Sequence, residues 1–256
     1  MRESADSVTF QISLDQSDLG QALALAELAV SAGVQVLEAG TGLIMNEGAR
    51  HVLPRLRSAF PTHRLVADVK CTDGGAFEAA MLFDLGANAV TVMSAASDAT
   101  IRLAIAEANK RQGCAVMVDT MGSGGPDGRD IQGHVAAARR ARDLGAHYAV
   151  IHLGYDERGA DIRMVEDNLL LRWTEAVVAA DLGIAIQVVG GLTLAQAKEL
   201  PCMGITEVVI SMNLGSRPLG EMRYDRLTGF TVNLSDPADR EAVRTQLRQF
   251  IAEVTG

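Results

Sequence analysis

The chain has 256 residues, 48% of them hydrophobic, and a formal net charge of −9 at pH 7. That acidity argues against DNA or RNA as a partner, because such partners are met by clustered Lys and Arg, although one small anion can still be held locally by a helix N-terminus. No run reaches the ~18 uninterrupted apolar residues of a membrane helix, and Met1–Ser7 carries acids without an apolar stretch, so neither a membrane span nor a signal peptide is expected and the cytoplasm is the default.

In chain order, short β-rich runs alternate with helical patterns. A strand over Val8–Leu14 precedes a helix over Leu19–Ala32, and Val34–Glu38 precedes Glu47–Ala59. Arg64–Val69 is followed by Gly75–Leu85, and Ala89–Met93 by Asp98–Gln112. Ala115–Asp119 leads into Ile131–Leu144, and Tyr148–His152 into Val165–Asp181. Ala185–Val189 precedes Leu194–Leu200, and Glu207–Ser211 precedes a last helix over Asp236–Val254. The strand runs are nearly continuous in apolar residues, as parallel strands covered by helices require. Gly33, Gly86, Gly113, Gly145, Gly183 and Gly204 stand where helices stop, and Ser17, Asn46, Ser97, Thr193 and Ser235 where they start. Eight β–α units joined by right-handed crossovers predict an α/β fold, a (β/α)8 barrel of the TIM type with eight parallel strands. No linker or composition shift divides the chain, so residues 1–256 are read as a single domain.

In such a barrel the C-terminal ends of the strands converge on one mouth, and here they carry Asp15, Glu38, Asp68, Lys70, Asp119 and His152. Clustered carboxylates repel unless a cation or lysine compensates. Glu38 and Asp68, on neighbouring strands, suit a hard divalent ion such as Mg2+, which takes oxygen ligands and keeps waters. Lys70 among acids stays protonated and can donate to a developing oxyanion. His152 can relay a proton near neutral pH. Val188-Val189-Gly190-Gly191-Leu192-Thr193 runs from a strand into a helix, the placement of a barrel phosphate site. Met121–Asp130 and Asn213–Asn233 are longer than minimal loops and either could form a lid or a substrate contact. His51, His63, His134 and His147 read as surface or capping residues, Trp173 and the methionines as core or interface, and Cys71, Cys114 and Cys202 as buried small hydrophobes.

Ala67-Asp68-Val69-Lys70-Cys71-Thr72-Asp73 resembles the Asp-x-Lys-x-x-Asp motif of the orotidine-monophosphate decarboxylase suprafamily. Gln11–Asp15, Glu38–Arg50, Val90–Ile101, His152–Asp156 and Val188–Leu192 extend the likeness over nearly the whole chain. They are most similar to the 3-hexulose-6-phosphate synthase and 3-keto-L-gulonate-6-phosphate decarboxylase branch. The resemblance implies a Mg2+-dependent carbon–carbon lyase of aldolase type that acts on a keto-sugar phosphate through an enediolate, with decarboxylation of a 3-keto sugar acid phosphate as the alternative. It implies Glu38 and Asp68 as metal ligands, Lys70 as stabiliser of the enediolate, and His152 in proton transfer. Asp73 would reach across a homodimer interface into the neighbouring site. Asp15, Thr41, Gly190, Gly191, Ser211 and Arg217 would contact substrate. Tyr155, three residues after His152, matches the synthase pattern, whereas the decarboxylases usually place Arg there. The chain departs from the family after strand eight, where Ile210-Ser211 replaces a glycine-led pair and Gly215-Ser216-Arg217 follows. This departure leaves open a non-phosphorylated substrate and, as a function of another class, a non-catalytic sugar-binding barrel.

Overall fold

A computed structural model describes residues 8–160, 167–211, 213–214, 217–218, 222–225, 229–232, 234 and 236–256, with side chains at 159–160 and 212–233 outside the described set. The barrel strands are β1 (Thr9–Leu14), β2 (Val36–Ala39), β3 (Arg64–Cys71), β4 (Ala89–Met93), β5 (Ala115–Asp119), β6 (Tyr148–His152), β7 (Ala185–Val189) and β8 (Glu207–Ile210). Each pairs in parallel with its sequence neighbour, and β8 pairs with β1, so the sheet closes into an eight-stranded barrel. The expected fold is the observed one.

The helices are α1 (Leu19–Ala32), α2 (Thr41–Glu47), α3 (Ala49–Ala59), α4 (Gly75–Asp84), α5 (Asp98–Asn109), α6 (Ile131–Leu144), α7 (Tyr155–Ala160), α8 (Leu169–Ala179), α9 (Leu194–Glu199) and α10 (Pro237–Thr255). Each long helix buries one stripe against the barrel. In α1 that stripe is Leu19, Ala22, Leu25, Ala26, Leu28 and Ala29, spaced by three and four. A fully buried Leu such as Leu25 contributes about 1.5–3 kcal/mol through loss of apolar surface to water. The last helix, α10, closes the ring of helices next to α1, and its Phe250 meets Phe10 of β1 edge to face at 6.5 Å.

Several helix starts differ from the sequence expectation. Asp18 rather than Ser17 caps α1, its carboxylate accepting from the Gln21 amide at 2.8 Å. Asn46 lies inside α2, and the chain breaks instead at Gly48, with φ of 80°, before α3 begins. Asp236 caps α10, while Ser235 lies outside the described residues. Ser97 and Thr193 do cap α5 and α9. Short antiparallel pairs, β9 (Asn213–Leu214) with β10 (Arg217–Pro218) and β11 (Met222–Asp225) with β12 (Gly229–Val232), occupy the segment expected as a long loop. No helix among the described residues is long and apolar enough to cross a membrane.

The interior of the barrel is apolar in its middle, where Val36, Val66, Ala89, Met117 and Val150 pack together. A polar relay crosses it. Arg64 donates to Glu207 at 2.6 Å, Gln187 bonds Glu207 and donates to the Gln11 side chain at 3.1 Å, and Gln11 donates to Glu38 at 2.6 Å. Each side chain of the relay thereby has at least one hydrogen-bond partner. Glu38 stands at its end, on the mouth side.

Candidate active site

A cavity of about 670 Å3 opens at the C-terminal ends of the strands. Asp15 and Glu38 border it from the ends of β1 and β2, Thr41 from the start of α2, and Asp68 and Lys70 from β3. Asp119 and His152 border it from β5 and β6, Gly190 and Gly191 from the turn after β7, and Ser211 from the end of β8. Ten of the residues singled out from sequence therefore share one cavity.

Asp68 and Lys70 are two apart on β3 and so share the inward face. The ladder is interrupted between Ala67 and Cys71, and Lys70 has a left-handed φ of 48°. Such backbone costs roughly 1–3 kcal/mol in a non-glycine residue and persists where the surroundings hold it. Here the Lys70 amide donates to Thr91 Oγ1 at 2.9 Å, and Thr91 donates to Asp68 Oδ1 at 2.7 Å. The Thr41 hydroxyl lies 2.8 Å from the Asp68 carbonyl oxygen and 2.9 Å from Oδ2. Lys70 Nζ forms an ion pair with Asp68 Oδ2. Burial pulls the Lys70 ammonium pKa down, but the carboxylates of Asp68, Asp119 and Glu38 outweigh it and leave the pKa above its ordinary value. Lys70 is a protonated donor.

The carboxylates behave differently according to their partners. Burial pushes the Glu38 carboxyl well above the usual range, and the charges of Asp68 and Asp15 add to it. Burial likewise raises Asp15, partly offset by a hydrogen bond with Ser13. Asp119 is buried too, but His152 and Lys70 bring its pKa below the ordinary value. Its Oδ2 accepts from His152 Nδ1 at 2.8 Å and its Oδ1 from the Met121 amide at 2.8 Å. An ionised carboxylate can only accept, so Nδ1 carries the proton and Nε2 is the nitrogen left for the cavity.

Among the described residues no group of three or more His, Cys, Asp and Glu stands at metal-holding distance. Glu38 and Asp68, beside Asp15, nonetheless fit a hard cation that keeps most of its waters. The donors are all oxygen, and the carboxylate repulsion that adds to the effect of burial on Glu38 and Asp15 is what a cation would relieve.

Gly40, which ends the β2 turn, explains part of the local sequence. A Cβ there would stand 2.9 Å from the Leu14 carbonyl oxygen and crowd the Asp15 carboxylate, so only glycine lets α2 approach β1 this closely. Gly190 and Gly191 have φ of 137° and 67°, also glycine backbone. The anion-binding role expected of the following helix start is weakened. α9 has six residues, and Thr193 and Gln196 form a reciprocal capping box that takes up the Gln196 and Thr193 amides at 3.2 and 2.9 Å.

Asp73 does not border the cavity of its own chain. It is exposed after β3, and its Oδ1 accepts from the Gly74 amide at 2.8 Å. The Arg217 side chain lies outside the described residues. Among the described residues of the long loops, Met121 and Gly122 reach the cavity, while the side chains of 213–233 lie outside the described set. Other expectations are corrected. His134 is a core residue, 1% exposed and stacked on Trp173 at 4.1 Å, because α6 turns it inward between the barrel and α8. Cys202 is exposed and Cys114 half-buried, so of the three cysteines only Cys71 is a buried hydrophobe. Sequence reasoning missed Thr91 and Arg158. Thr91 carried a signal, as the one hydroxyl in an apolar strand; Arg158 carried none, since its helix was not anticipated.

A family model for the orotidine 5′-phosphate decarboxylase / HUMPS family matches residues 9–209. The chain is 31% identical over 199 residues to a 3-hexulose-6-phosphate synthase from Methylomonas aminofaciens, covering 78% of this chain and 87% of that protein. It is similar to a crystal structure of 3-hexulose-6-phosphate synthase at 27% identity and a TM-score of 0.71, covering 94% of this chain and 99% of the other. A 3-keto-L-gulonate-6-phosphate decarboxylase from Vibrio cholerae matches at 28% identity and a TM-score of 0.64, over 96% and 99% of the two chains.

Proposed function

Because the chain belongs to the orotidine 5′-phosphate decarboxylase / HUMPS family and is an enzyme of the lyase class, we propose that it is a Mg2+-dependent aldolase-type lyase acting on a keto-sugar phosphate. The reaction we assign is the joining of formaldehyde to ribulose 5-phosphate, and its reverse. The observation that carries this is the protonated Lys70 set against Asp68 in a cavity that also holds the His152–Asp119 pair.

Lys70 donates to the oxygen on which negative charge develops as the enediolate forms, a contact stronger in the transition state than in the ground state. His152, held by Asp119 in one tautomer, exchanges the proton with substrate through Nε2. In the forward direction a proton leaves C1 of the pentulose, C1 bonds to the formaldehyde carbon, and the new alkoxide takes up a proton. Asp15 and Thr41 are placed to receive substrate hydroxyls, and Gly190, Gly191 and Ser211 to receive the phosphate. Glu38 and Asp68 would hold Mg2+, which supplies polarisation of the substrate's carbonyl and hydroxyl oxygens when bound. Asp73, exposed and away from its own cavity, is suited to complete the site of a second copy in a homodimer.

The likeness to the decarboxylase supports a second reading, release of CO2 from a 3-keto sugar acid phosphate to give the same kind of enediolate. Tyr155, which borders the cavity where the decarboxylases carry Arg, favours the synthase. Purified protein is assayed with formaldehyde plus ribulose 5-phosphate and with 3-keto-L-gulonate 6-phosphate, each with and without EDTA. Condensation lost on chelation and restored by Mg2+ supports the assignment; CO2 release alone transfers it to the second reading, and a rate indifferent to EDTA removes the metal.

A further inference from the structure

Arg158, on α7, borders the cavity beside the Gly190-Gly191 turn. A Cβ built on Gly191 would stand 2.8 Å from Arg158 Cζ, so the guanidinium lies directly against that backbone. Although the chain has 32 acidic against 23 basic residues, Arg158 makes no ion pair among the described residues. Its Nε is buried without a hydrogen-bond partner. The neighbouring Glu157 carboxylate is engaged by the Gly154 amide at 2.8 Å, and the Tyr155 ring lies 5.7 Å from the guanidinium carbon. Burial also lowers the Arg158 pKa, opposed in part by Tyr155. A half-buried guanidinium whose Nε lacks a hydrogen-bond partner gains when something bound supplies an acceptor.

The barrel order shows what that something is. β3, with Asp68 and Lys70, and β7, with the glycine turn, are four strands apart in a closed ring of eight, on opposite sides of the mouth. A ligand with its reacting carbons at Lys70 therefore has its far end at Gly190, Gly191 and Arg158. The other anion-binding devices on that side are reduced. The Thr193 and Gln196 amides of the short α9 are taken up by its own capping box, and Ile210 is buried in the core at 1% exposure, leaving Ser211 a hydroxyl but no charge. Resting on the sugar-phosphate reading above, we propose that Arg158 grips the substrate's phosphate with its planar fork, together with the Gly190-Gly191 backbone, and sets the preference for phosphorylated substrate.

Calorimetric titration of ribulose 5-phosphate, ribulose and inorganic phosphate is run on the wild type, Arg158→Gln, Arg158→Lys and Arg172→Gln. Arg172, exposed on α8, controls for loss of one positive charge. The expected result is a phosphorylated-over-free preference that falls about 10- to 100-fold in Arg158→Gln and less in Arg158→Lys, with Arg172→Gln like the wild type. If Arg158→Gln does not fold, as judged by thermal unfolding, Arg158→Lys alone must show a reduced preference. A strong wild-type preference untouched in the Arg158 variants overturns this assignment and leaves the sugar-phosphate reading standing. Inorganic phosphate binding that depends on Arg158 in a protein blind to ribulose 5-phosphate supports the anion grip and overturns that reading instead.

Discussion

Asp119 and His152, 33 residues apart in the chain, meet across the seam between β5 and β6 with Oδ2 and Nδ1 separated by 2.8 Å. The acid is buried, is held ionised by His152 and Lys70, and leaves the imidazole one tautomer. Replacing Asp119 by Asn keeps the shape but allows the imidazole to turn its proton toward the cavity. We expect Asp119→Asn to fold normally and to lose about 10²- to 10⁴-fold in kcat. A kcat within threefold of wild type would show that His152 needs no such partner.

The exposure of Asp73 gives a test of the second subunit. Lys70→Ala removes the donor to the developing oxyanion and is expected to cost about 10²- to 10³-fold in rate. Asp73→Asn should be comparably impaired if it serves a neighbouring copy. Mixing the two inactive variants in equal amounts under conditions of subunit exchange then restores roughly a quarter of wild-type activity, because half the dimers are mixed and each has one intact site. Recovery below a few per cent, with exchange verified by mass, would place Asp73 outside the neighbouring site.

Glu38 should trade stability against metal binding. Its raised pKa means that the folded protein holds a proton which the unfolded chain releases once the pH passes the ordinary carboxylate value. Ionising Glu38 in the fold is thus unfavourable, and stability falls as pH rises through that window. In EDTA at neutral pH, Glu38→Gln is expected to raise the melting temperature by a few degrees while the Gln11 hydrogen bond is kept. Added Mg2+ should stabilise the wild type, more so at higher pH, and leave the variant unmoved. Equal stabilisation of both would place the ion elsewhere.

His134 predicts a pH dependence remote from catalysis. Burial lowers its pKa to about 4, and its Nδ1 meets the Thr120 hydroxyl at 2.9 Å. The unfolded chain protonates this group near its ordinary value of 6.5 and the folded one does not until about 4. Stability from this residue is therefore full above pH 6.5 and is lost as pH falls toward 4, by about 3 kcal/mol. Urea unfolding of the wild type between pH 7 and 4.5 should show this decline, and His134→Phe, which retains a ring against Trp173, should flatten it. Parallel curves for the two proteins would rule out His134 as the cause.

What the sequence by itself determined is the part encoded locally. A parallel strand covered by helices writes its apolar run over five or six neighbouring residues, and a helix writes its stripe at spacings of three and four. The eight units and the barrel were therefore legible, as were Asp15, Glu38, Asp68, Lys70 and His152, because strand ends in a barrel have one destination. Boundaries such as Asp18 for Ser17 slipped by a residue, since adjacent residues offered equivalent caps. Only closure of the barrel decided the partners. Thr91 reaches Asp68 across 23 residues, His134 lies on Trp173, and the Arg158 guanidinium lies against Gly191. Those distances depend on how whole strands and helices stack, and the same burial that brings the groups together removes the water that would have paired or screened them.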